Sequence, residues 1–146
     1  MINENKISSA AFDKKRVGLL IVDDSDLIRE RLITLFKNNE NISTILQAKN
    51  SSEAYDLFNS FSPDIVILDI RIPGDNGIVV LEKLKKINHT VKVIMLTSYP
   101  YEQYRRKSME LGADYFFEKS GDMNRIIEVC NKLIVNRIKL MNIKNK

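Results

Sequence analysis

Asp23 and Asp24 stand directly behind the apolar run "VGLLIV" (17–22), and Asp26 follows close after. Aspartate forms strands poorly and is costly to bury, so acids placed here need a reason. Another acid, Asp69, closes the short apolar run "IVIL" (65–68). The run "VKVIML" (91–96) ends in the hydroxyls of Thr97 and Ser98, and "YFFE" (115–118) ends in Lys119. Singly, each has a plain explanation. An acid after a strand is commonly a helix N-cap, the role expected for Asp26, and a lone Thr or Lys is commonly solvated. Their joint placement at four strand ends carries the information.

The elements that must position them follow from periodicity. "DLIRERLITLFKNN" carries Leu27, Ile28, Leu32, Leu35 and Phe36 at helical spacing. "STILQA" (43–48) is a shorter strand signal. "SSEAYDLFNSF" is a helix opened by Ser51 or Ser52, with Ala54, Leu57, Phe58 and Phe61 on one face. "GIVVLEKLKKI" is helical, and a further helix has Pro100 in its first turn and Gly112 at its C′ position. "DMNRIIEVCNKLIVNRIKLM" closes the chain as a long amphipathic helix. Five strand signals alternate with five helix signals, which predicts an α/β domain with a parallel sheet covered on both faces and right-handed crossovers. In such sheets functional groups collect beyond the carboxyl ends of the strands. Three carboxylates, a hydroxyl and an ammonium therefore meet on one edge.

Clustered carboxylates cannot all stay ionised without counter-charge. Lys119 supplies one positive charge, and a hard divalent cation fits the remaining deficit. Mg²⁺ prefers oxygen ligands and typically takes one or two carboxylates together with phosphate oxygens. A carboxylate beside such an ion can attack a phosphoryl group and form an aspartyl phosphate. Lys119 would then neutralise the equatorial oxygens and Thr97 would donate a hydrogen bond to one of them. The residues alone point to metal-assisted phosphoryl chemistry.

Composition narrows the field. With 146 residues, 44% of them hydrophobic and 29% charged, the chain suits a single domain with a real core. Its one cysteine, Cys130, excludes an internal disulfide, and its spacing with Ile126, Ile127, Leu133 and Ile134 makes it a core residue. No apolar stretch approaches the ~20 residues that span a bilayer, and "MINENKISSAAFDKKR" lacks the apolar centre of a secretory signal, so a cytoplasmic location is expected. Net charge is +4, with basic residues gathered in "YRRKSMELG" and "NRIKLMNIKNK". No nucleic-acid reading motif accompanies them, and a solvated helix face is the favoured explanation. His89 falls in a polar loop at the opposite end of the sheet and is expected to be solvated, not a relay histidine.

The stretches "LLIVDDSDLIRERL", "DIVILDIRIPGDNG", "VIMLTSY" and "GADYFFEKS" resemble the receiver domain of two-component response regulators, over about residues 16–141. The resemblance implies a flavodoxin-like fold with strand order 2-1-3-4-5 and phosphotransfer to aspartate from a sensor histidine kinase. By motif, Asp69 would be the phosphoacceptor, Asp23 and Asp24 the Mg²⁺ pair, and the backbone carbonyl of Arg71 the further protein ligand. Pro73, Gly74 and Gly77 match the loop after the acceptor, where glycine tolerates positive φ. Thr97 and Lys119 match the switch hydroxyl and the active-site lysine. Phe116 lies where the family keeps a switch aromatic that turns inward as the threonine moves; a simple core aromatic is the equal alternative. Arg71 and Tyr99 lie where the family tunes access of water to the phosphoryl group, and both are large, so slow self-dephosphorylation is expected. The family usually follows its lysine with Pro; Ser120 and Gly121 stand here, a departure that bears on the loop beyond Lys119.

Residues 1–15 are expected to form a mobile extension or a short extra helix, and 142–146 a basic tail. Only 27 residues follow Lys119, too few for a helix-turn-helix module, so the chain reads as a stand-alone receiver. It would control an output protein, or relay phosphate to a histidine phosphotransfer protein. The face of the fourth helix, fifth strand and fifth helix, with Tyr101, Tyr104, Arg105 and Arg106, is available for homodimer formation or partner docking. Two other readings belong beside this one. An aspartate-nucleophile phosphatase of the haloacid dehalogenase type would usually carry a second Asp two residues past the nucleophile, where Arg71 stands. A single-domain DNA binder would use the "YRRK" patch and the tail.

Overall fold

The computed structural model describes residues 6–7, 16–121 and 123–144. Its strands are β1 (Lys6–Ile7), β2 (Val17–Val22), β3 (Ile42–Ala48), β4 (Ile65–Leu68), β5 (Lys92–Thr97) and β6 (Tyr115–Glu118). Its helices are α1 (Asp26–Phe36), α2 (Ser51–Phe61), α3 (Gly77–Ile87), α4 (Glu102–Glu110) and α5 (Met123–Lys144). The sheet runs β1-β3-β2-β4-β5-β6. From β2 to β6 neighbouring strands are parallel, so counting from β2 the order is 2-1-3-4-5, the flavodoxin-like arrangement in a single domain.

Alternation along the buried strands feeds two cores. Leu20, Val22, Val66, Leu68, Val93 and Met95 point to the face covered by α2, α3 and α4. Leu19, Ile21, Ile65, Ile67, Ile94 and Leu96 point to the face covered by α1 and α5. Both sets are almost fully buried, which explains why the strands read as unbroken apolar runs.

Several local expectations are corrected. The N-cap of α1 is Ser25, whose hydroxyl accepts the Ile28 N–H at 3.3 Å. Asp26 is instead the first helical residue and pairs with Arg29. Asn50 caps α2, through the Glu53 N–H at 2.8 Å, so Ser51 is already inside the helix. Pro100 lies before α4, whose N-cap is Tyr101. Leu27, Leu35 and Phe61 share helical spacing with the core residues but are exposed; the buried stripe of α1 is Arg29, Leu32 and Phe36. Gly112, with φ 97°, does end α4.

In the N-terminal extension, Lys6–Ile7 form a strand, antiparallel to β3, with Lys6 opposite Ile45 and Ile7 opposite Thr44. The expected mobile extension or helix otherwise falls on residues outside those described, as does the end of the basic tail. No helix among the described residues is long and apolar enough to cross a membrane.

Cys130 is fully buried against the α1–α5 core, and burial pushes its thiol up to about 12. Native protein at pH 8 should therefore resist iodoacetamide and become alkylated only on unfolding in urea, as read by intact mass. Rapid labelling of the folded chain would contradict this packing.

Candidate functional site

The strand ends converge as their sequence positions require. Asp23 follows β2, and its N–H donates to the Ala48 carbonyl at the end of β3 (3.0 Å). Asp69 follows β4, and its N–H donates to the Val22 carbonyl at 2.9 Å. These bonds extend the sheet by one rung and hold the acids side by side. Asp23, Asp24 and Asp69 each offer an oxygen within 4.8 Å of the others; Asp23 and Asp69 are buried and Asp24 is exposed.

Lys119 follows β6 and reaches both buried acids: its Nζ lies 2.7 Å from Asp23 Oδ2 and 2.8 Å from Asp69 Oδ2. Its backbone N–H donates to the Thr97 carbonyl (2.9 Å), joining the ends of β5 and β6. The remaining carboxylate oxygens are partly satisfied by the main chain. Asp69 Oδ1 accepts the Ile70 N–H at 2.7 Å and Asp23 Oδ1 accepts the Ser25 N–H at 2.8 Å. Burial pushes the Asp69 carboxyl above its ordinary range; the hydrogen bond from Lys119 opposes this, and the nearby Asp23 charge adds to it. For Lys119 burial works toward a lower value, but hydrogen bonds to Asp23 and Asp69 outweigh it and the net direction is upward.

Thr97 ends β5 fully buried, and its Oγ1 accepts the Tyr99 N–H at 3.0 Å. Tyr99 in turn carries Arg71, whose guanidinium carbon sits 3.8 Å from the ring centroid. The two residues expected to tune water access thus touch one another. Phe116 is buried in the α2–α4 core, with the Arg105 guanidinium 4.7 Å above its ring. His89 is exposed in the turn between α3 and β5, at the far end of the sheet. Beyond Lys119 the chain turns tightly, with Gly121 N–H donating to the Glu118 carbonyl (3.1 Å), and no cis peptide occurs among the described residues.

The loop after Asp69 needs its glycines for two different reasons. Gly74 adopts φ 87°, as expected, and a Cβ there would lie 2.2 Å from Ser51 Oγ. Gly77 has no positive φ; it is glycine because a Cβ would lie 2.0 Å from the Asp69 carbonyl oxygen. Its N–H donates to the Ile70 carbonyl at 2.6 Å. The same loop is tied to α2: Asp75 N–H donates to Ser51 Oγ (2.9 Å), and Tyr55 Oη donates to Asp75 Oδ2 (2.8 Å).

One contributor escaped sequence reasoning. Arg29 is buried, and its Nη1 donates to the Asp23 carbonyl at 2.7 Å while Nε donates to Gln47 at 3.0 Å. Its signal was present in its register with Leu32 and Phe36, three and seven residues on, a spacing that places it on the inward stripe.

A parallel sheet with this order and acids at its switch point defines an α/β domain of the doubly wound class. Residues 19–131 match the sequence model of the response regulator receiver domain, and the chain belongs to that family. It is 38% identical over 116 residues to Sporulation initiation phosphotransferase F of Bacillus subtilis, covering 80% of this chain and 92% of that protein. It is 33% identical over 114 residues to the Sensory transduction protein LytT of the same organism, covering 78% of this chain and 46% of the relative. The chain spans about half the length of several other curated relatives, 57% of a Salmonella typhimurium Fimbriae Z protein among them. A solved CheY-like receiver domain from Methanospirillum hungatei superposes with a TM-score of 0.78 at 22% identity, over 85% of this chain and 98% of that one. A LuxR-family DNA-binding response regulator from Staphylococcus aureus gives 0.74 at 28% identity, over 81% and 98%.

The raised Asp69 value has a stability consequence. A carboxyl whose folded value lies above its unfolded one stabilises the fold fully below the unfolded value, and that contribution is lost as pH rises through the folded one. At pH 7 the ionised Asp69 is therefore a net cost. Asp69→Asn should raise stability in EDTA-containing buffer at pH 7, with the gap closing toward pH 3. Urea titrations at both pH values check this, and a less stable variant at pH 7 would contradict it.

Proposed function

We propose that this receiver accepts a phosphoryl group on Asp69 from a phosphohistidine of a sensor kinase or phosphotransfer protein, in a Mg²⁺-dependent reaction. The observation that carries the reading is the convergence of three carboxylates at the carboxyl edge of the sheet, two of them bridged by the half-buried Lys119 ammonium. Three negative charges against one positive leave a deficit of two, and the donors are hard oxygens at a partly open position, a set that fits Mg²⁺. Asp23, Asp24, Asp69 and the Arg71 carbonyl would hold the ion, which when bound supplies charge neutralisation for the incoming phosphoryl oxygens.

The chain's own residues then divide the work. An Asp69 carboxylate oxygen attacks phosphorus as the phosphorus–nitrogen bond of the donor breaks, and the departing imidazole keeps the bonding pair. Lys119 gives up its bond to Asp69 in favour of a phosphoryl oxygen while retaining Asp23. Thr97 turns its hydroxyl toward another phosphoryl oxygen. Phe116, packed beside this strand end, follows into the space released. The gain is a two-state element biased by a local charge. The output is control of a partner protein or onward relay of the phosphoryl group. The high coverage of the relative named as a phosphotransferase supports the relay. The comparisons support neither the haloacid-dehalogenase-type phosphatase nor the DNA-binding reading.

Incubation with acetyl phosphate and Mg²⁺ should add a single phosphoryl group to the native chain and none to Asp69→Ala, as read by intact mass. A native chain that stays unmodified, or an equally modified variant, would overturn the assignment. The contact between Arg71 and Tyr99 supports slow hydrolysis, because two large side chains packed together beyond the ends of β4 and β5 would obstruct in-line approach of water. The phosphoryl lifetime should shorten about tenfold or more in Arg71→Asn, Tyr99→Glu, equivalent to at least ~1.4 kcal/mol of barrier. Equal lifetimes would remove this part of the reading.

A further inference from the structure

Of the groups proposed to hold Mg²⁺, the carboxylates of Asp23, Asp24 and Asp69 can turn about their side-chain torsions to meet an ion. The Arg71 carbonyl has no such freedom, since a main-chain oxygen goes only where its backbone goes. Its usefulness as a ligand therefore depends on whatever fixes the loop between β4 and α3.

That loop is laid on the first turns of α2. The Ser51 N–H donates to the Pro73 carbonyl at 3.1 Å, and Ser51 Oγ accepts the Asp75 N–H at 2.9 Å. One buried serine thus grips the main chain on both sides of Gly74. The fit is close, because a Cβ on Gly74 would lie 2.2 Å from that hydroxyl. One helical turn beyond Ser51, Tyr55 Oη donates to Asp75 Oδ2 at 2.8 Å, and Lys83 Nζ of α3 donates to the same oxygen at 2.9 Å. The Lys83 ammonium also stands 5.3 Å from the Tyr55 ring centroid. Asp75 thereby ties the loop to α2 and α3 at once. Hydrogen bonds from Lys83 and then Tyr55 hold the Asp75 carboxyl below its ordinary value. Burial, and then the bond to Asp75, push the Tyr55 hydroxyl above its own. Acceptor and donor keep these roles at neutral pH.

We propose that the clamp formed by Ser51, Asp75 and Tyr55 sets the ion selectivity of the acidic site, by holding the Arg71 carbonyl where a small octahedral ion can use it. The inference rests on the Mg²⁺-dependent phosphoacceptor reading and names the positioning residues behind it. Mg²⁺ takes oxygens at about 2.0–2.1 Å in near-ideal octahedral geometry, whereas Ca²⁺ accepts ~2.3–2.6 Å and variable coordination. A loosened loop can still offer its carbonyl to the forgiving ion but not to the strict one. Groups that orient a ligand without touching the ion act on affinity in this way.

The test follows thermal unfolding of the full chain as MgCl₂ or CaCl₂ is added. Each protein's own midpoint in EDTA is the baseline, so stability lost by a substitution drops out and ion affinity remains. Tyr55→Phe removes one hydroxyl, keeps the ring and alters no charge at neutral pH. It should weaken Mg²⁺ about tenfold and Ca²⁺ by no more than about twofold. Asp75→Ala should lose the preference for Mg²⁺ as well. Asp75→Asn carries the same charge as Asp75→Ala, but its amide oxygen can still accept the Tyr55 hydroxyl and should recover most of the preference. Equal weakening of both ions in Tyr55→Phe, or no weakening of Mg²⁺, would overturn the clamp and leave the phosphoacceptor reading intact. So would Asp75→Asn behaving as Asp75→Ala does. A native chain whose midpoint ignores Mg²⁺, or whose response survives in Asp24→Ala, would sink the metal reading and this inference with it.

Discussion

One ammonium holds this site together. Lys119 bridges Asp23 and Asp69 at 2.7 and 2.8 Å, in a place where two buried carboxylates would otherwise face each other across a few ångströms. Burial makes that repulsion expensive and makes the lysine's attraction correspondingly strong. The rest of the fold serves this contact. The first parallel strand brings one acid and the third brings the other, while the last brings the cation, and only a parallel sheet delivers three strand ends to the same edge with the same polarity. The charge balance is incomplete, since one ammonium does not satisfy three acids.

Much of this was legible in the sequence because it depends on short-range pattern. The strand runs at 17–22, 65–68 and 115–118 and the helix at 77–87 agree with the structure to the residue, and the first two are buried parallel strands, apolar throughout, that break sharply at polar residues. Asp23, Asp24, Asp69, Thr97 and Lys119 could be placed because each sits at such a break. The less legible features are those set by neighbours distant in sequence. Leu27 and Leu35 share the apolar character of Leu32, but the flank of α1 that is buried is the one carrying Arg29, Leu32 and Phe36, and they lie outside it. Gly77 was legible as a glycine but not for its reason, which is the Asp69 carbonyl eight residues earlier. The strand at Lys6–Ile7 pairs with residues some forty positions away, and nothing in its local composition announces that partner.

Arg29 shows how a residue can matter to a site it does not enter. Buried beneath the first turn of α1, it binds the carbonyl of Asp23 and spans to Gln47 on the neighbouring strand and Asp26 on its own helix. A charge is tolerated there because every side of the guanidinium meets an oxygen. The backbone that carries the paired acids is thereby anchored from below, while Asp23 meets Lys119 and Asp24 stays exposed.

The surroundings of Asp69 are stiff on one side and yielding on the other. Toward α3, the loop is wedged by Gly77 against the acceptor's own carbonyl and bolted to α2 through Ser51, Tyr55 and Asp75. Toward β5, the Thr97 side chain is held by the Tyr99 main-chain N–H alone among its described contacts. Mechanical work done by an arriving charge will take the softer route. Any shape change should therefore spread through the half of the molecule containing β5, α4 and β6, while α2 and α3 act as the fixed frame against which that half moves.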